Sequence, residues 1–140
     1  MRKHRPFGHV LDLLRRANLR PTRQRLSLAR ILFEGEDRHV TAEKLHEEAI
    51  AANIPVSLAT IYNTLHQFTA AGLLREIVVD ATRSYFDTNI NDHHHFFHEG
   101  TGYLEDIPAA QIVVAALPPA PEGTSVRRVD VIVRLKDSLK

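Results

Sequence analysis

The sequence has no cysteine. That absence excludes disulfides, thiolate metal sites and cysteine nucleophiles together, so any bound metal must rest on His, Asp or Glu. No apolar run reaches the roughly 18–20 residues needed to cross a bilayer. The basic start Met1-Arg2-Lys3-His4-Arg5 is followed by no apolar stretch and no small-residue cleavage pattern. A cytoplasmic chain without a membrane partner is therefore expected. Acidic charge is nearly missing from the first 33 positions, where Asp12 alone stands against nine Lys/Arg: Arg2, Lys3, Arg5, Arg15, Arg16, Arg20, Arg23, Arg25 and Arg30. That segment carries +8 and the remainder, nine bases against sixteen acids, carries −7, leaving the overall +1. A basic segment on an acidic body points to a polyanion partner, with solvated helix faces as the competing reading.

What is present is ordinary for a folded globular protein. Apolar residues make up 44% and charged residues 25%, which argues against a disordered tail or a membrane span. A chain of 140 residues can bury a core as one compact unit or two small ones.

Apolar periodicity predicts a first helix from Phe7 to Asn18, with Val10, Leu11, Leu13, Leu14 and Ala17 as its stripe. Thr22 can cap a second helix to about Phe33, and Glu34-Gly35-Glu36-Asp37 breaks it. Thr41 caps a third, Ala42 to about Ala52, ended by Asn53-Ile54-Pro55. Ser57 caps a fourth, reaching Ala71 and closed by Gly72. Leu58, Ile61, Leu65 and Phe68 make its buried stripe, so Ala59, Thr60, Asn63 and Gln67 must point elsewhere. Two β-like runs, Leu73–Val79 and Arg83–Asp87, sit close enough for a hairpin. Residues 88–92 read as a polar hinge. Beyond it, strands near His93–Glu99 and Gly102–Asp106, a helix from Pro108 to Leu117 and a last strand from Ser125 to Leu135 are expected.

Helix, turn, helix, hairpin is the order of a winged helix, whose second helix enters the major groove while the hairpin flanks the backbone. On the fourth helix, Thr60 and Asn63 offer hydrogen bonds. Tyr62 offers a ring for a thymine methyl and a hydroxyl for a phosphate. Arg20, Arg23 and Arg25 can supply salt-dependent phosphate or minor-groove contacts.

The run Asp92-His93-His94-His95-Phe96-Phe97-His98-Glu99 holds four of the nine histidines. On a strand, His93 and His95 share one face and His94 takes the other. Imidazoles about 7 Å apart along one face can converge on one ion. Zn, Fe, Mn or Cu all suit imidazole, and added carboxylates shift the preference towards Mn or Fe(II). Asp87, His39 and Asp106 are candidates to complete the shell. A solvated polar loop is the competing reading. His46 and His66, isolated on helices, are assigned to surface or packing roles.

These residues resemble the ferric uptake regulator (Fur) superfamily and, within it, the iron response regulator (Irr) branch. The resemblance is carried by Leu19-Arg20-Pro21-Thr22-Arg23-Gln24-Arg25, His39-Val40-Thr41-Ala42-Glu43, Ser57-Leu58-Ala59-Thr60-Ile61-Tyr62-Asn63-Thr64-Leu65 and His93-His94-His95-Phe96-Phe97 with Glu99-Gly100, in order over about residues 8–107. It implies an α+β architecture: an N-terminal winged helix-turn-helix DNA-binding domain over residues 1–87, a hinge at 88–92, and a small C-terminal α/β dimerisation domain over 93–140. It also implies a homodimer on AT-rich palindromic operators, with Ser57–Ala71 as the recognition helix and the DNA contacts at Arg20, Arg23, Arg25, Ser57, Thr60, Tyr62 and Asn63. Asn63 stands where many members carry Arg, as in the peroxide-sensing branch.

The family's regulatory metal site falls on His39, Asp87, His93, His95 and Asp106, for Mn, Fe or Zn. The Irr branch further implies haem at His93, His94 and His95, and imidazole is a standard axial haem ligand. With no cysteine, the paired-Cys zinc site of many members and the Cys-containing haem motif of some Irr proteins are excluded. A peroxide- or manganese-responsive regulator of the same superfamily is the alternative. A metal or haem module without DNA binding is another, though it would not need the basic first third. His93-x-His95-x3-Glu99 also matches half of a cupin metalloenzyme motif, but no later His completes it and four opening helices do not suit a β-barrel. The expected class is therefore a regulator rather than an enzyme.

Overall fold

The computed structural model describes residues 8–138. Phe7, the expected start of the first helix, lies outside the described residues, as do the basic Arg2, Lys3 and Arg5. The fold is mixed α and β. The chain divides into two compact units, one ending at Ile90 and the other starting at Asn91.

The first unit contains α1 (Gly8–Arg16), α2 (Arg23–Phe33), β1 (His39–Val40), α3 (Ala42–Ala51), α4 (Leu58–Ala70), β2 (Arg75–Asp80) and β3 (Arg83–Asp87). The three expected caps start their helices. Thr22, Thr41 and Ser57 are each extended, and each hydroxyl accepts the amide three residues on, from Arg25, Lys44 and Thr60, at 3.1 Å. Such a cap satisfies one of the four amides a helix start leaves unpaired.

The helix ends are equally local. Asn18 (φ 58°), Asn53 (φ 61°) and Gly72 (φ 84°) turn left-handed after α1, α3 and α4. The next amide then reaches back five residues: Leu19 to Leu14, Ile54 to Ala49 and Leu73 to Phe68, each at 2.9 Å. Those same residues, Leu19, Ile54 and Leu73, pack against the core, so each stop signal also sets an apolar contact.

Val10 and Leu14 of α1, Leu28 and Leu32 of α2, Leu45 and Ala49 of α3, and Ile61, Leu65 and Phe68 of α4 close one core with Val40 and Phe86 from the sheet and Leu74 just before β2. The sheet runs in the order β1-β3-β2, antiparallel throughout. The two-residue β1 was not expected from the sequence. Its register places His39 opposite Asp87 on β3, while Arg75 of β2 faces Asp87 from the other side.

The second unit is built on β4 (His93–His98), flanked by β5 (Tyr103–Pro108), antiparallel, and β6 (Ile132–Leu135), parallel. Two expectations fail here. The helix expected over Pro108–Leu117 is a single 3-10 turn at Ala109–Gln111. A helix apolar on all sides needs burial to offset its ordering, yet Val113 is 84% and Leu117 50% exposed, and β-branched Ile112-Val113-Val114 resists helix formation. The strand expected over Ser125–Leu135 is cut to Ile132–Leu135. In the register that sets His95 against Ile132, residues before 130 fall beyond the start of β4 and have no strand to pair with.

Candidate metal centre and nucleic-acid face

Alternation along β4 puts His93, His95 and Phe97 on a buried face and His94, Phe96 and His98 on a half-buried one. His93 is 5% and His95 2% exposed, an unusual burial for two imidazoles. His95 lies opposite Asp106 of β5, whose register brings the carboxylate to the same face. The Nε2 atoms of both histidines lie 3.3 Å from Asp106 Oδ1, and one ligand atom from each of the three lies within 4.8 Å of the others.

Tautomer logic shows what this triad could hold. The Nδ1 of His93 meets the carbonyl oxygen of Asn91, an acceptor, so Nδ1 carries the proton and donates it. In the neutral ring, Nε2 then presents a lone pair to a carboxylate oxygen. Two electron-rich atoms facing each other at that distance call for positive charge between them, either a proton or a metal ion. A backbone carbonyl fixing the distal nitrogen is also how metal-ligating imidazoles are oriented. Two nitrogens and a partly exposed carboxylate, with no sulfur, suit Mn, Fe or Zn.

The first unit carries a pair of the same chemistry. His39 Nε2 lies 3.2 Å from Oδ2 of Asp87, which is 1% exposed, while Asp87 Oδ1 accepts the Asn89 amide at 2.8 Å. The segment beside it is braced. Arg38 forms a two-pronged pair with Glu48, at 2.9 and 2.7 Å, and exchanges hydrogen bonds with Thr88, the first residue of the expected hinge.

His94 does not join His93 and His95. It lies on the other face, where its Nδ1 accepts the Val131 amide at 3.0 Å. The three residues expected to hold haem are thus divided between two faces of one strand.

The residues expected to meet DNA gather on α4 and the α1–α2 turn, with one reassignment. Asn63 is exposed, Thr60 half-buried and Tyr62 37% exposed on α4, while Arg20 and Arg23 are exposed at the turn. Ser57 serves as the α4 cap and also donates its hydroxyl to Thr60 Oγ1 at 3.0 Å. Arg25, read from sequence as a DNA contact, spends its guanidinium inside the unit: Nη1 donates to the Arg20 carbonyl and Nη2 to Gln67 Oε1, both at 2.9 Å. It ties the α1–α2 turn to α4.

Glu43, in the first turn of α3, was also missed; its carboxylate accepts the Tyr62 hydroxyl at 2.6 Å. That bond, with minor desolvation and the Glu43 charge, raises the phenol above its ordinary range. At the hairpin tip, the Thr82 amide and hydroxyl and then the Arg83 guanidinium hold Asp80 down at about 2. No local pattern announces Glu43 or Gln67, because their partners lie 19 and 42 residues away.

Comparison with known proteins converges on one family. The sequence matches the profile of the ferric uptake regulator family over residues 16–131. It is 36% identical over 81 residues to the ferric uptake regulation protein of Bordetella parapertussis, covering 58% of each chain. It is 34% identical over 100 residues to the peroxide-responsive repressor PerR of Staphylococcus aureus, covering 71% of this chain and 66% of that one. The matched segment thus spans less than two thirds of either relative. Among solved structures, the ferric uptake regulator of Pseudomonas aeruginosa with manganese superposes with a TM-score of 0.71 at 26% identity, covering 92% of this chain and 98% of that one.

Proposed function

The chain belongs to the ferric uptake regulator family, and from that premise we propose that it is a metal-responsive transcription regulator that binds double-stranded DNA as a homodimer. The observation that carries this is the triad of two buried imidazoles, His93 and His95, with the partly exposed Asp106 carboxylate, whose facing lone pairs call for a cation. On this reading residues 1–87 form a winged helix-turn-helix domain, 88–92 the hinge and 93–140 the dimerisation domain. α4 enters the major groove with Ser57, Thr60, Tyr62 and Asn63, while the hairpin β2–β3 lies along the backbone. Arg20 and Arg23 meet phosphates, and their contribution falls as salt rises.

His93, His95 and Asp106 hold the ion from the C-terminal unit, and His39 and Asp87 complete its shell from the N-terminal one. When bound, a divalent ion supplies a crosslink that fixes the spacing of the two recognition helices in the dimer. The protein's own part is to aim the His93 ring through the Asn91 carbonyl, to set His95 opposite Asp106 through the strand register, and to hold His39 beside Asp87.

For the finer identity, the Irr resemblance offers iron and haem status as the input. Ligation of haem by His94 Nε2 would need the Val131 bond to be released, because an Nδ1 that accepts leaves the proton on Nε2. A peroxide- or manganese-responsive regulator is the second reading, favoured by the Staphylococcus aureus relative.

The test is salt-controlled binding to AT-rich palindromic duplexes with Mn(II) present. Protection of two half-sites about one helical turn apart is expected. Binding no tighter than to a random duplex would overturn the reading.

A further inference from the structure

We propose that Glu43 is a positioning residue for DNA recognition: by taking the Tyr62 hydroxyl, it reserves the Tyr62 ring for the methyl group of a thymine. This rests on the DNA-binding reading above and assigns within it a role that sequence leaves open, since a tyrosine on a recognition helix can donate to a phosphate or pack its ring on a base. The Tyr62 hydroxyl has one proton, and at 2.6 Å that proton is given to the Glu43 carboxylate. What remains on the oxygen is lone pairs, which a phosphate, itself an acceptor, cannot use.

Glu43 also stands where a phosphate oxygen would have to approach, so like charge opposes that contact. Its carboxylate is anchored in the first turn of α3, where the helix dipole favours negative charge. The raised phenol of Tyr62 fits a neutral donor locked to an anion. With its hydroxyl fastened to α3, the ring stays on the outer face of α4, 37% exposed, with its apolar edge left for a base. A thymine methyl is the apolar feature of the major groove.

The experiment uses the full chain with Mn(II). A tight duplex is selected from a random pool, then remade with deoxyuridine in place of thymidine. Wild type should lose about fifteenfold in affinity on the methyl-free duplex, the factor expected when each of the two protomers loses burial of one methyl group. E43A and Y62F should bind the thymine duplex less tightly and no longer tell the two duplexes apart, and the double variant should be no worse than either. E43Q keeps an acceptor without the charge and should retain the discrimination, which separates positioning from mere removal of an anion.

Full thymine preference in E43A would overturn the assignment of Glu43. So would a Y62F variant that loses affinity equally on both duplexes and keeps full thymine preference, which would place the hydroxyl on a phosphate. Failure of wild type to select any duplex would instead remove the DNA-binding reading, and this one with it.

Discussion

Arg25 offers a sharp prediction, because sequence and structure give it different tasks. Replacing it with alanine removes two hydrogen bonds from a charged donor, to the Arg20 carbonyl and to Gln67. Bonds to charged groups contribute about 1.5–3 kcal/mol when buried. Arg25 is half-exposed, and ordering a long side chain costs up to about 2 kcal/mol, so a net loss of about 1 kcal/mol is expected. For a unit of this size that is about 4–8 °C in Tm. The described helices all lie in this unit, so helical circular dichroism on heating reports on it. Arg23, exposed two residues earlier at the start of α2, serves as the contrast. Arg23→Ala should leave Tm unchanged and lower the slope of log affinity against log salt by about 1.8, the value for one phosphate from each protomer of the dimer. Arg25→Ala should lower Tm and leave that slope nearly unchanged. A variant of Arg25 with unaltered Tm and a slope reduced by about 1.8 would refute the clamp and restore a phosphate contact.

Three further outcomes follow from local geometry. Gly72→Ala should cost about 1 kcal/mol in denaturant unfolding although a Cβ there meets nothing within 4 Å, because φ +84° is strained for any L side chain; an unchanged midpoint contradicts this. Thr41→Ala, which removes the α3 cap, should cost about 1 kcal/mol, and Thr41→Ser should recover most of it in the same assay. The Asp80 carboxyl is lowered in the folded state, so its turn contacts contribute fully above the ordinary value of 3.8 and fade as pH falls towards about 2. An NMR titration of Asp80 with its midpoint near 3.8 would contradict the Thr82 and Arg83 contacts.

Much of the first unit was legible because its instructions are local. A hydroxyl before each apolar run and an Asn or Gly after it bound three helices to within a residue or two, and the 3-4-3 spacing of Leu58, Ile61, Leu65 and Phe68 identified the inner face of α4. The alternation His93/His95 against His94 was legible for the same reason: a strand has a period of two. The exceptions have physical causes. β1 is two residues long, too short for any period, and exists because β3 is there to pair with it. Residues 108–117 satisfy a helical pattern, but sequence says nothing of whether a partner surface will cover it. Ser125–Val129 alternates like a strand, yet in the register of β6 it falls beyond the start of β4. Arg25 read as a DNA contact and Glu43 had no assigned role, because their side-chain partners Gln67 and Tyr62 lie far along the chain. Side-chain hydrogen bonds of that range carry no signature in a single sequence.

The central claim is that a cation held at His93, His95 and Asp106 governs the grip on DNA. It is tested most directly by measuring affinity for an AT-rich palindrome at fixed salt, with Mn(II) and with chelator, for wild type and for His93→Ala combined with His95→Ala. Wild type should bind at least tenfold more tightly with Mn(II), and saturating duplex should tighten Mn(II) binding by the same factor, since coupling between two ligands is reciprocal. The double variant, with its helical signal intact, should bind DNA equally in both conditions. Metal-enhanced binding that survives in that variant would contradict the account.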